Sequence, residues 1–142
     1  MSSHMQVFAT VLSGVTVFIL GQLLMRFVVE PLQELKRAIG EISHALIYYA
    51  DVYGNPGLNK DEIVAEARKA LRDKASVLRS QANVVPFYDG FTRLKWVPSR
   101  ADIKSASRHL IGLSNSLVKG DPEHNSKRCE EIKKALHLDI DD

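Results

Sequence analysis

Charge is missing from the start of this chain. No Lys, Arg, Asp or Glu precedes Arg26, so all nineteen basic and all seventeen acidic residues lie from Arg26 onward. Val7 to Met25 is a run of nineteen uncharged residues. The core helix of a soluble domain rarely sustains such a run, because one of its faces must meet water. A secretory signal peptide is the less expected reading, since the run has no basic segment before it and no small-residue cleavage site after it. The run is therefore expected to cross a membrane, within a transmembrane helix over residues 6–30. The opening Met-Ser-Ser-His-Met reads as a cloning remnant over residues 1–5, with Met5 as the native start.

Cysteine is nearly absent as well. The single Cys129 excludes an intramolecular disulfide and agrees with a reducing compartment. It falls on an apolar stripe, which marks a buried thiol rather than a nucleophile. There is no HExxH, and His109, His124 and His137 fall on different turns, so no metal is expected. GxxxxGK[ST], GxGxxG and GxSxG are all missing, which removes the usual signatures of nucleotide and acyl-transfer chemistry. No cofactor is expected. Strand alternation, internal repeats and low-complexity runs are also missing, so the class is all-α. The formal net charge of +2 selects no partner.

What is present is a long helical pattern. Gly14, Phe18, Gly21, Met25, Val28, Leu32, Leu35, Ile39, Ile42, Leu46, Tyr49 and Tyr53 follow one another by alternating steps of four and three. That spacing keeps one face in line as a helix turns. The reading is a single transmembrane helix that continues into a four-helix bundle-like domain over residues 31–142. Pro31 sits at the junction and suits either a kink or a new first turn. Arg26, Lys36 and Arg37 follow the span and no basic residue precedes it. The positive-inside rule then puts the C-terminal domain in the cytoplasm, beneath the inner (plasma) membrane, with a very short tail across it.

The span is uneven round its circumference. Thr10, Gly14 and Gly21 share a narrow arc, flanked by Ser13, Ala9 and Thr16, while Phe8, Val11, Val15, Phe18 and Ile19 lie opposite. Small residues let helix backbones approach closely, and hydroxyls can bond across the contact. Thr10, Ser13, Gly14 and Gly21 are the expected face of a homo-oligomer.

Beyond Tyr53 the chain reads as three more helices and one long loop. Gly54 ends the first helix. Asn59 is the expected N-cap of the next, with Glu62 completing a capping box. Its apolar stripe holds Ile63, Ala67, Ala70, Leu71, Val77 and Leu78, and its basic residues Arg68, Lys69, Arg72, Lys74 and Arg79 read as a solvated face. Residues 84–98 form the irregular stretch. They hold Phe87, Tyr88, Phe91 and Trp96, four of the ten aromatics, with Arg93 and Lys95 among them. Such a segment either folds back as a lid or faces a partner or the membrane interface, where Trp and Tyr gather with Lys and Arg. Nucleic acid is not expected as a partner: four aromatics and two basic residues make a weak stacking platform. Ser99 with Asp102 opens a further helix, which Gly120 ends. Asp121-Pro122-Glu123 starts the last one, and the tail Asp139–Asp142 is expected to fray.

One spacing carries a resemblance. Arg37 and His44 in RAIGEISH form Arg-x6-His, which resembles the Arg-x4–6-His signature of HEPN-type ribonucleases, a family of small all-α domains. The resemblance implies RNA cleavage with Arg37 and His44 as the catalytic pair; Ala38 stands where that family often has a polar residue. In layout the chain also resembles small single-pass bacterial proteins with a cytoplasmic helical domain, and membrane accessory proteins of anti-phage systems that assemble into pores. The expected function is a membrane-anchored interaction protein that self-associates, as scaffold, regulator or pore-forming effector, with a bilayer around its first helix and a cytoplasmic protein as a further partner. The alternative is an anchored ribonuclease.

Overall fold

The uncharged run folds as a helix and continues past its own end. In the computed structural model, which describes residues 2–138, α1 covers Ser3–Leu24. A wide turn follows over Met25–Val29, and then α2 covers Glu30–Tyr48. Together they form one unbroken helix of 46 residues, Ser3–Tyr48, which is about 69 Å long at the usual rise per residue.

Pro31 causes the wide turn. In a regular helix its ring would collide with the carbonyl of Phe27 and offer it no N–H. Instead the Glu30 N–H donates to the Met25 carbonyl, five residues back. This looser turn lets the chain pass the proline without breaking. It also has a geometric cost for the sequence reading. An extra residue in one turn rotates everything after it by roughly 100°, one residue's share of a turn. The alternating four-and-three seam is therefore not one straight face, and Gly14 and Gly21 are out of line with Leu35 and Ile42.

A second correction falls at Tyr49. The helix expected over Leu32–Tyr53 is divided there, where the backbone leaves helical geometry (φ −99°, ψ 18°), and resumes as α3, Ala50–Gly54. The next helix, α4, is Asp61–Val84. Its N-cap is Lys60 and makes no side-chain cap bond. Asn59 does not cap it: its amide nitrogen donates to the Asp51 and Asn55 carbonyls, closing the preceding turn instead. Short α5, Tyr88–Arg93, is followed by α6, Arg100–Asn115, and α7, Pro122–Ala135. The caps expected for these two longer helices form. The Asp102 N–H donates to Ser99 Oγ, and the Glu123 N–H donates to the Asp121 carboxylate. Every regular element among the described residues is helical.

α4 lies against α2 on one side and α6 on the other, α7 packs on α6, and α3 touches α7. Their shared core takes Leu35, Ile42 and Leu46 from α2, Leu71 and Leu78 from α4, Leu110 and Leu113 from α6, and Ile132 from α7, all at 0 or 1 % exposure. Each such side chain contributes roughly 1.5–3 kcal/mol by leaving water. The stripe of α2 is thus sealed inside its own subunit. No residue of α1 is buried.

Two polar contacts fix the pairing of α2 with α4. Lys74 Nζ donates to Glu41 at 2.7 Å, and the Tyr49 hydroxyl donates to Glu66 at 2.9 Å. As one helix is followed downward the other is followed upward, so they are antiparallel. α6 runs antiparallel to α4 in turn: Arg72 donates to Asn115 at 2.6 Å, and the Ser107 hydroxyl to the Ala75 carbonyl at 3.3 Å.

Candidate functional site

The register of α2 and α4 decides where the aromatic segment lies. Followed toward the N-terminal end of α2, the Glu41–Lys74 and Tyr49–Glu66 pairing brings the C-terminal end of α4 level with Val28–Pro31. Phe87 to Trp96 therefore sit at the height where the uncharged helix ends. Val28 and Val29 are the first residues along the long helix to lose part of their exposure.

Within this segment the expected irregular loop is corrected to a helix, α5, held by local bonds. The Tyr88 hydroxyl donates to the Pro98 carbonyl at 2.6 Å, and Thr92 Oγ1 donates to the Tyr88 carbonyl at 3.1 Å. The Arg100 guanidinium lies 4.6 Å from the Tyr88 ring centre. Burial pushes the Tyr88 phenol up to about 12, so it stays a hydrogen-bond donor at neutral pH. The lid and the outward surface turn out to be two faces of one short segment. Tyr88 is buried and Phe91 half-buried, whereas Phe87 is 81 % and Trp96 56 % exposed. Phe91 and Trp96 stack at 5.7 Å, which holds the Trp ring at the rim. Val84 and Leu94 are also exposed. Arg93 and Lys95 point to solvent beside them, giving a fringe of apolar rings and cations.

The small-residue face of α1 has no partner among the described residues. A Cβ placed on Gly14 or Gly21 would meet nothing within 4 Å, so no intrachain contact demands glycine there. Thr10 Oγ1 donates to the Gln6 carbonyl at 2.9 Å, satisfying its hydroxyl inside the helix. Ser13 is exposed beside it.

Arg37 and His44 both lie on the outer, exposed face of α2. Arg37 pairs with Glu34 at 3.2 Å, one turn away. The His44 ring stacks on Tyr48 at 5.8 Å. Neither lines any of the cavities described for the molecule. Among the described residues there is no cluster of His, Cys, Asp and Glu fit to hold a metal. Cys129 is buried, and desolvation raises its thiol pKa, which leaves it protonated and unreactive at neutral pH.

Compared with protein-family models, with curated proteins and with solved structures, the chain matches none of them.

One polar junction was not visible in the sequence. Asn125, at 0 % exposure, donates from Nδ2 to the Tyr53 carbonyl at 2.9 Å and accepts from the Ser116 hydroxyl at Oδ1. It ties the end of α3 and the α6–α7 turn to α7. The Tyr53 hydroxyl donates to the Leu46 carbonyl at 2.8 Å, so its ring is fixed from the other side. Nearby, His109 Nδ1 and Arg128 Nε are buried without a partner among the described residues. A side chain on Gly112 would overlap the Arg128 guanidinium. The close approach of Gly112 to Arg128 brings α6 directly onto α7.

Proposed function

We propose that the chain is a single-pass membrane protein whose helical, four-helix bundle-like domain is held at the cytoplasmic surface of the inner membrane and which self-associates through its first helix. The observation that carries this reading is the division of one helix into two environments. From Ser3 to Leu24 the unbroken helix buries nothing, although Phe8, Val17 and Phe18 are each at least 65 % exposed. From Leu35 onward the same helix is the wall of a core. So long an apolar surface has no stable place in water, and a bilayer core of about 30 Å matches the length of its first 20 or so residues.

The fringe of Phe87, Trp96, Arg93 and Lys95 supports the same reading. It lies level with the end of the apolar helix, and that composition suits the headgroup region. Trp96 is the sole tryptophan, so it reports on this directly. In bilayers carrying lipids brominated near the headgroup, Trp96 emission is expected to fall by about half or more. Emission equal to that in unbrominated bilayers would remove the fringe from the membrane surface.

Self-association rests on Thr10, Ser13, Gly14 and Gly21, whose small side chains leave one side of α1 open to close approach. The interaction would serve a scaffold, regulator or pore-forming role. Replacing Thr10, Gly14 and Gly21 together by Leu is expected to convert the particle in detergent to a smaller species with unchanged helicity, read by light scattering and circular dichroism. An unchanged particle size would remove this face from the assembly.

A further inference from the structure

The basic residues of α4 read in the sequence as a wet helix face, but they do not stand alone. Four adjoining cavities of about 690, 450, 180 and 240 Å³ run along the seam between α4 and α6. Arg72 lines both of the first two, and Arg79 lines the second, third and fourth, so they form one groove. Arg68, Lys69, Arg72 and Arg79 enter it from α4. Arg100, Lys104 and Arg108 enter it from α6, some thirty residues later in the chain. Its only acidic lining residues are Asp61 and Asp73. Among the described residues, none of those seven cations forms an ion pair. The three ion pairs present, Arg37–Glu34, Lys74–Glu41 and Lys127–Glu123, are all elsewhere.

The floor has a different character from the rims. Val64, Ala65 and Val118 line the wide end, and Ala75, Ile111 and Ile103 continue the apolar strip. Val118 is 52 % and Ile111 38 % exposed. Arg72 is already positioned, held by Ser114 Oγ and Asn115 Oδ1. From Arg68 to Asn83 the groove is about 22 Å long, four turns of helix.

We propose that this groove is the docking site for an acidic amphipathic helix of about 15 residues supplied by a partner protein. Carboxylates on the flanks of such a helix would meet the unpaired cations on both rims, and its aliphatic stripe would cover the floor. A single-stranded nucleic acid fits less well. No aromatic residue lines any of the four cavities, so its bases would find no stacking surface, and an apolar floor would leave its polar base edges unpaired. A lipid headgroup fits less well too, because the wide end of the groove lies at the far end of α4 from the apolar helix. The site is built by α4, α6 and the turn that follows α6, and does not depend on whether α1 crosses a bilayer.

The test uses the full chain in nanodiscs of phosphatidylcholine and three labelled probes. One is a 15-residue peptide of Glu, Leu and Ala with Leu at helical spacing. The second has the same composition scrambled to destroy the stripe. The third is a 15-nucleotide uridine RNA. The patterned peptide is expected to bind and to gain helicity on binding, and the scrambled peptide and the RNA to bind at least tenfold more weakly. Joint replacement Arg68→Glu, Arg79→Glu and Arg108→Glu, all at exposed positions, is expected to weaken the patterned peptide at least tenfold while the melting curve of the protein is unchanged. Val118→Asp, which alters the floor and no cation, is expected to weaken it severalfold. Failure of the patterned peptide to bind overturns the proposal. So does equal binding of the scrambled peptide or the RNA, which would make the groove a surface for polyanions in general. Unaltered binding by the triple variant would place the peptide elsewhere and overturns it as well.

Discussion

Ile42→Asp is expected to unfold the domain, whereas Ile47→Asp, on the same helix, is expected to change its stability by no more than about 0.5 kcal/mol, as exposed substitutions do. Ile42 is fully buried among Leu35, Leu46 and the leucines of α4; Ile47 is 62 % exposed. Removing a buried Ile side chain costs about 2–5 kcal/mol. Leaving a carboxyl group in that fully buried, apolar place adds several kcal/mol more. Together these approach the whole stability of a domain of this size, about 5–15 kcal/mol. Chemical unfolding followed by circular dichroism checks the pair. If Ile42→Asp instead left a cooperatively folded domain and only reduced particle size, the α2 stripe would be an intermolecular contact.

The second large effect concerns α1. A chain lacking residues 2–24 is expected to move from the membrane fraction to the soluble fraction and to keep its unfolding midpoint within a degree or two. No residue of α1 is buried, and the element it packs on is the wide turn that follows it. The deletion thus removes a large apolar surface without opening the core. A shortened chain that aggregates or melts many degrees lower would mean that the core helices depend on α1, as they would if it folded back on them in water.

The contrast between these two halves of one helix was legible in the sequence because both signals are local. Absence of charge over Val7–Met25 and the four-and-three spacing of Leu35, Ile39, Ile42 and Leu46 need no knowledge of the rest of the chain. The caps at Ser99 with Asp102 and at Asp121 were legible for the same reason. Asn59 misled because its amide serves two carbonyls of the turn behind it, and nothing in its neighbours distinguishes that from a cap. At Pro31 the composition fits a kink or a start, and the chain takes a third course, a wide turn that no periodicity encodes. α5 was hidden because its six residues are stabilised from outside by Pro98 and Arg100. The groove lay furthest from view. Arg72 and Arg79 look like ordinary solvated residues until α6 brings Ser114 and Asn115 against the first and Lys104 and Arg108 across from the second.

The most direct test of the membrane reading is residue-specific labelling in intact bacterial spheroplasts. Cys129 is first replaced by Ala, and single cysteines are then placed at Ser3 or Glu130, both exposed. A membrane-impermeant maleimide is expected to label position 3 in intact spheroplasts, and position 130 only after the membrane is opened, with both chains resisting carbonate extraction. Labelling of position 130 in intact spheroplasts, or release of the chain by carbonate, would contradict a first helix that crosses the bilayer and leaves its domain in the cytoplasm.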